Sequence, residues 1–327
     1  MALQPYEQFK GVTDWRRDGL NDNLEYGLMQ WIIWSFLQIG GFENVLFSQA
    51  SGLYGGHPAI LRLVTDPNFT KGQVWEGIRS DWIWETGISY PVQPRQCSGV
   101  YVNGSFKPTA TEVGTYAHYI DFPRGRVVFD NAIPISSNVR ADYSFRIPTI
   151  AKSKEPWLQE LMYGSLDVQR SDFRVAGSGS HNQLSEARRQ MPTIGIELSQ
   201  RRGYQPYQLG GGQFVYQDVL LYVLSEHKDE RDKIINILSN QNDKVIELPD
   251  RGLMKESAQF PVDIDVFGRP VSNPMQYPNI IAPTGDGGFR WARCMLRNAQ
   301  SQVMQTTNDW LYRGVVRITC ESIFENL

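Results

Sequence analysis

The residue types that most often carry catalysis are sparse in this sequence and poorly spaced for it. The chain has four histidines, and none stands in a His-Glu-x-x-His zinc motif. They are His57, His118, His181 and His227. We interpret His118, inside a predicted strand, as an imidazole whose hydrogen bonds are satisfied within the fold. His181 follows Gly177-Ser-Gly-Ser180, but a nucleophile elbow needs Gly-x-Ser-x-Gly between a strand and a helix, so we predict a flexible connector there.

Glycine clusters and an aspartate pair have the composition of phosphate or metal sites, but their contexts indicate turns and strands. Gly210-Gly-Gly212 and Gly285-Asp-Gly-Gly288 each precede a predicted strand, whereas a phosphate-binding loop follows one. Asp263 and Asp265 alternate with apolar residues, which is typical of the solvent face of a strand. A calcium loop would need more oxygen ligands and a glycine at its bend. We therefore predict no metal site, no cofactor and no catalytic residue.

Composition and charge favour a protein that assembles with other proteins. The formal charge of −3 argues against a surface built to hold nucleic acid. Arginine, tyrosine and tryptophan, which are enriched where proteins meet, are well represented. The basic pairs are scattered instead of forming one phosphate-binding strip. They are Arg16-Arg17, Arg188-Arg189 and Arg201-Arg202.

Cysteine usage and the apolar stretches indicate a chain that folds in a reducing compartment, without a membrane anchor. The three cysteines, Cys97, Cys294 and Cys320, form no short-spaced pair and are expected to be reduced thiols. The N-terminus lacks the basic and apolar regions of a signal peptide. The most apolar stretch, 24–39, is shorter than a membrane span.

Tryptophans near two glutamates leave one alternative of a different class, a carbohydrate-binding or hydrolytic protein. Aromatic rings can stack on sugars, and glycoside hydrolysis uses two carboxylates across a cleft. The residues concerned are Trp75, Trp82, Trp84 and Trp157, with Glu76 and Glu85. Large aromatic side chains serve chiefly in burial, so we favour a packed aromatic core and a protein that is not an enzyme.

The clearest element is an N-terminal helix. Apolar residues from Leu24 to Ile39 recur at the spacing of one helical face, which predicts a buried amphipathic helix. Asp22 is expected to cap it, with Glu25 completing a capping box. Gly40-Gly41 supplies a left-handed stop.

Between about 97 and 148 the apolar period changes to two. Asn103-Gly104 predicts a two-residue hairpin turn after a first strand. Further strands are predicted at 117–121, 126–130 and 140–147. Short strands separated by turn signals indicate a small antiparallel β module.

The last third of the chain returns to longer elements. Strands are predicted at 193–198, 213–224 and 244–248, with a helix at 228–239 between the last two. The apolar stripe of this helix is Ile234, Ile235 and Leu238. Two long strands are expected to finish the chain, the last of them over 311–324.

These elements predict an α+β fold: a mixed α/β core sheet with packed helices that carries an inserted antiparallel β module. Residues 1–95 are assigned to the N-terminal helix and the first part of the core, and 96–150 to the inserted module. A polar connector spans 151–190. The C-terminal part of the core, a strand-helix-strand unit with terminal strands, spans 191–327.

The order of these C-terminal elements resembles phage tail terminators. Met191-Pro-Thr-Ile-Gly-Ile-Glu-Leu198 matches a short strand introduced by proline. The long strand 213–224, the helix 228–239 and the terminal strand 311–324 follow in the order of that family, and the capped N-terminal helix resembles the helix that opens it. Other stretches are similar to structural or neck proteins of tailed bacteriophages. They are Gly72–Glu85, Asp121–Asn131 and Gln217–Leu224.

The resemblance implies a non-enzymatic virion protein, assembled in the host cytoplasm. It would form a homohexameric ring that caps the tail tube and joins tail to head. Its expected partners are its own copies, the tail tube and sheath proteins, and the head-completion or connector proteins, with no membrane and no sequence-specific nucleic acid. An exposed strand edge, 213–224 or 311–324, is expected to pair with a neighbouring copy. The alternatives are a head-closure, baseplate or capsid decoration protein.

Overall fold

The computed structural model describes residues 19–48, 59–109, 113–163, 190–208, 211–256, 276–304 and 311–324. Over these ranges the protein is mixed α+β, with one six-stranded sheet and three smaller sheets. Five α-helices are described. They are α1 (Leu20–Gln38), α2 (Pro156–Tyr163), α3 (Lys228–Ser239), α4 (Arg251–Glu256) and α5 (Tyr277–Ile280).

Helix α1 begins earlier than predicted and is capped differently. Gly19 occupies the N-cap position, and no side chain caps the helix there. The predicted capping box of Asp22 and Glu25 is therefore wrong: Asp22 lies inside the first turn, where a carboxylate favours the helix dipole. Glu25 instead binds Lys152, at 2.5 Å. The predicted stop is confirmed, since Gly40 has a φ of +79° and its amide donates to the Leu37 carbonyl.

The interior position of α1 explains its apolar composition. One side of the helix, including Leu28 and Ile32, packs into the core of the six-stranded sheet. Another side, including Leu37, packs against Ile83 and Ile88 in the segment 77–98, which connects two strands of the smaller sheets. The helix is therefore not amphipathic in the ordinary sense, because apolar neighbours surround it on opposite sides.

Residues 42–146 form the three small antiparallel sheets. Their strand orders are β1-β9, β2-β3-β7-β6 and β5-β4-β8. The strands are β1 (Phe42–Val45), β2 (Arg62–Leu63), β3 (Val74–Glu76), β4 (Gly99–Val102), β5 (Ser105–Pro108), β6 (His118–Asp121), β7 (Arg126–Phe129), β8 (Val139–Ala141) and β9 (Tyr143–Arg146). One aromatic core centred on Trp82 and Tyr143 underlies them.

The hairpin predicted inside this region is confirmed, and one predicted strand is divided. Asn103 and Gly104 both have positive φ, 51° and 84°, and join β4 to β5 as a two-residue turn. The strand predicted at 140–147 is two strands in different sheets, β8 and β9, separated at Asp142. The Asp142 carboxylate accepts the amide of Phe47, a contact no local pattern reveals. Strand β1 pairs with β9, and β3 pairs with β7. The predicted domain boundaries at 95, 150 and 190 stay predictions.

The six-stranded sheet has the order β10-β11-β12-β15-β14-β13. Strands β10 and β11 run parallel, and every other neighbouring pair is antiparallel. The strands are β10 (Thr149–Lys152), β11 (Thr193–Gln208), β12 (Gly211–Ser225), β13 (Lys244–Pro249), β14 (Arg290–Met304) and β15 (Tyr312–Phe324). The strand predicted at 193–198 thus continues to Gln208.

Helices α1 and α3 cover one side of this sheet. The bounds predicted for α3 are confirmed, and its predicted stripe of Ile234, Ile235 and Leu238 is buried in the sheet's core. The side chain of Ile235 lies where a Cβ on Gly314 of β15 would stand. A side chain at position 314 would therefore force Ile235 to move, so glycine favours this close packing of helix on strand.

Arg79 ties the small sheets to the six-stranded sheet. Its Nη1 donates to the carbonyl of Met191 at 2.8 Å, and its Nη2 to that of Ile147 at 2.9 Å. The guanidinium also lies 5.2 Å from the centroid of the Phe145 ring. Because Met191 lies two residues before β11 and Phe145 belongs to β9, one buried side chain joins both parts of the fold.

We expect stability to depend on the protonation of Asp81, which lies at the same junction. Burial raises the pKa of its carboxyl, and this effect outweighs the nearby Arg146 guanidinium, which lowers it. The folded state therefore holds the proton more tightly than the unfolded chain. This contribution to stability is complete below about pH 4 and is lost as the pH rises through the raised pKa.

Asp81→Asn removes this titration and keeps a residue type that tolerates the positive φ of 56°. The stability of the variant relative to wild type should increase as the pH rises from 4 to 8, measured by urea unfolding. A difference that does not change with pH would contradict the assignment.

Candidate assembly interface

The structure places the sequence candidates for chemistry in structural roles where it describes them. His118 is buried, with Nδ1 2.8 Å from the Tyr116 carbonyl and Nε2 3.2 Å from the Thr109 hydroxyl. This confirms the satisfied imidazole. The segment 285–288 forms a turn before β14, as predicted, with Gly287 at a φ of +81°. Several candidates lie outside the described residues. They are His57, Gly177–Ser180, His181, Asp263, Asp265, Arg16-Arg17 and Arg188-Arg189.

Three of the four tryptophans that could have stacked on sugars are part of the packed core, and the fourth, Trp157 of α2, is partly buried against the separate cluster that contains Leu158. Trp75, Trp82 and Trp84 are all buried, which confirms the aromatic core. Glu76 binds Arg126 at 2.9 Å, and Glu85 binds Arg146. Both carboxylates are therefore engaged in ion pairs with arginines.

The cysteines are free thiols, and all three are buried. Burial raises the pKa of the Cys97 thiol to about 12, so this thiol is protonated and unreactive at neutral pH. Among the described residues no group of three or more histidine, cysteine or acidic side chains could hold a metal ion. In the same ranges no helix is long and apolar enough to span a membrane.

The strands predicted as exposed edges lie inside the six-stranded sheet. β12, which contains 213–224, is hydrogen-bonded to β11 on one side and β15 on the other. β15, which covers 312–324, lies between β12 and β14. The prediction that either strand pairs with a neighbouring copy is therefore wrong. Alternation reveals which face of a strand is buried, but not which strands flank it.

One open edge of this sheet is the second half of β14. β13 pairs with β14 only as far as Leu296, and the Asn242 side chain accepts the amide of Ala299 at 3.3 Å. Among the described strands none pairs with the outer edge of Gln300–Met304, which we call the β14 edge. It contains no charged residue and no proline, and Val303 is 56% exposed. Edges without such protection are templates for another strand.

A second open edge lies on the opposite side of the sheet, in β11. β10 pairs with β11 only over Thr193–Ile196. Over Ser199–Pro206, which we call the β11 edge, the pairing partner that the structure describes is β12 alone. Tyr204 in this segment is 56% exposed.

The outermost strands of the sheet are better protected. β10 has only four residues, and short edge strands discourage further pairing. In β13, the hydroxyl of Tyr277 accepts the Glu247 amide at 3.3 Å and donates to the Glu247 carbonyl at 3.0 Å. Among the described strands, the β14 edge and the β11 edge are therefore the candidates for pairing with a partner.

The face of the sheet opposite α1 and α3 carries ion pairs between neighbouring strands. Three arginines there each pair with a carboxylate on the next strand: Arg317 with Asp218, Arg297 with Glu321 and Arg293 with Glu247. Exposed pairs of this kind add little stability. They do neutralise these three arginines locally, which does not favour phosphate binding at these positions.

Aromatic side chains also line the outer face of the three-stranded sheet. Tyr101 of β4 is opposite Phe106 of β5 and Arg140 of β8, and Phe47 stacks on the Tyr101 ring at a centroid distance of 4.1 Å. Sequence reasoning missed this row. The Asn103-Gly104 turn places Tyr101 opposite Phe106, so this pair could have been predicted from the sequence.

The features for interaction that the described part of the chain presents are strand edges and sheet faces. Comparison with known proteins adds no homologue: no protein-family model matches the sequence, and no curated protein matches it either.

Proposed function

We propose that the protein is a structural subunit that assembles with copies of itself into a ring in the neck of a tailed-phage particle, as a tail terminator. In this role it caps the tail tube and joins the tail to the head. The phage assignment is supported by the resemblance of the strand-helix-strand order in residues 191–327 and of the neck-protein-like stretches in the middle of the chain.

The observation that carries self-assembly is the pair of open edges on opposite sides of one sheet. A subunit with different edges on its two sides makes head-to-tail contacts, and such contacts form a ring when their rotation closes. Strand pairing between subunits satisfies the exposed backbone groups of both edges and so removes the hazard of indiscriminate pairing. This mode of action needs no chemical turnover.

The mass of the native particle tests this function. We expect light scattering after gel filtration, at physiological salt, to give a closed oligomer near six subunits. The isolated oligomer should bind the ends, and not the sides, of tail tubes in negative-stain images. A protein that remains monomeric at high concentration and does not bind tube ends would contradict the proposal.

The open edges are equally compatible with the other virion roles, namely head closure, baseplate or capsid decoration. The number of copies of the protein per virion distinguishes these roles from the neck assignment. A ring in the neck is expected in six or twelve copies per particle, measured by quantitative mass spectrometry of purified virions. A capsid decoration protein would be present in far higher numbers, and a result of that kind would replace the neck assignment.

A further inference from the structure

We propose that the β14 edge (Gln300–Met304) of one copy pairs antiparallel with the C-terminal part of the β11 edge (Ser199–Pro206) of the next, with Val303 beside Tyr204 and Ser301 beside Pro206. This inference rests on the proposed self-assembly and names the surfaces that perform it. The partner is a second copy of this chain because one copy presents both edges, on opposite sides of one sheet.

The direction of pairing follows from the order of strands. β11 and β15 run one way, and β12 and β14 run the other, because each neighbouring pair among these four is antiparallel. Two copies placed side by side in the same orientation therefore bring β14 of one against β11 of the next in opposite directions. The result is one continuous sheet across the subunit boundary.

The two exposed apolar side chains lie on the same side of that sheet. Tyr204 is opposite Val215, which is buried. Val303 is opposite Gly314, and the space above Gly314 is filled by Ile235 of α3. Since directly opposite residues in an antiparallel pair point to the same face, Tyr204 and Val303 both lie on the helix side. Pairing of the edges would place each beside the other and remove both from water.

The flanking strands leave room for this contact. Tyr204 is level with Ser322 of β15, through Val215, and Val303 is level with Gly314. The two edges are thus offset along the sheet by about 27 Å, at about 3.4 Å per residue. β13 ends its pairing at Leu296 and β10 at Ile196, so each flanking strand stops before the proposed contact begins. With this offset, a closed ring requires strands that run obliquely to its axis.

The composition of the edges favours head-to-tail pairing over pairing of two identical edges. The β11 edge carries Arg201, Arg202 and Pro206, so two β11 edges would bring like charges together. The β14 edge carries no charge, so its own composition is compatible both with pairing to a second β14 edge and with pairing to a β11 edge. Head-to-tail pairing therefore uses both edges of every subunit without bringing these arginines together.

Disulfide trapping tests the pairing directly. In the double variant Tyr204→Cys/Val303→Cys, the new thiols of one copy are too far apart to bridge each other, because Cα atoms in a disulfide are less than about 7 Å apart. Mild oxidation of the assembled protein should therefore give a ladder of covalent oligomers on a non-reducing gel, reversed by reductant. The wild-type cysteines are buried and should contribute no bands.

Matched controls decide between the outcomes. Val303→Cys combined with Ile323→Cys, an exposed position on the interior strand β15, should give no ladder. Dimers from Val303→Cys alone, at the yield of the double variant, would overturn the proposal in favour of symmetric β14 pairing. An intact oligomer without a ladder would overturn the edge pairing and leave the proposed function standing, whereas a monomeric protein would overturn both.

A charge at the contact gives an independent measurement. Val303→Lys should weaken subunit association at least tenfold by analytical ultracentrifugation, because the ammonium would lose water in the paired state. Val92→Lys changes a valine that is 58% exposed outside the sheet and should associate as wild type does. Equal association of the two variants would overturn the pairing.

Discussion

Replacing Trp82 with alanine is expected to lower the free energy of unfolding by about 3–5 kcal/mol. The indole is fully buried, stacks on Tyr143 with ring centroids 4.1 Å apart, and donates to the Arg79 carbonyl at 2.9 Å. Its removal leaves a cavity in the core of the small sheets and takes away a hydrogen-bond donor to a buried carbonyl.

Urea unfolding followed by far-ultraviolet circular dichroism measures the loss without depending on tryptophan fluorescence. Phe69→Ala is the matched control, since that ring is 36% exposed and its removal should cost less than about 1 kcal/mol. Equal losses for the two variants would mean that Trp82 does not organise this core.

The second large effect is expected for Arg146→Met, at about 3–5 kcal/mol. Arg146 forms an ion pair with Glu85, and the two side chains are only 12% and 5% exposed. Methionine keeps most of the apolar stem but leaves the Glu85 carboxylate buried without this arginine. The nearby Asp81 would also lose a favourable charge.

Two comparisons separate the charge effect from lost packing. Adding Glu85→Leu to Arg146→Met should restore part of the stability, because no unpaired carboxylate then remains at position 85. Arg297→Met breaks the pair with Glu321 on the open face, where Arg297 is 49% exposed, and should cost less than about 1 kcal/mol. If both arginine variants lost the same stability, burial of the Arg146 pair would not be the cause.

Local sequence patterns correctly predicted the elements whose hydrogen bonds join residues only a few positions apart in the chain. Helix α3 has the predicted bounds because the stripe of Ile234, Ile235 and Leu238 repeats at the helical period. The Asn103-Gly104 hairpin was equally predictable, since those residues adopt positive φ at little cost. The start of α1 was not predictable in the same way. Several residues near Gly19 are of types that commonly cap helices, and the sequence alone does not show at which of them the helix begins.

The sequence by itself determined the α+β class, helix α3, the Asn103-Gly104 hairpin, the aromatic core and the hydrogen-bonded histidine at 118, all of which follow from residue type and short-range spacing. Only the tertiary structure decided that β12 and β15 are interior strands and that the open edges belong to β14 and β11. It also brought Arg79 to Met191, more than a hundred residues away. The physical reason is that a strand's own residues select its buried face, while its neighbours are selected by pairing between segments far apart in the chain.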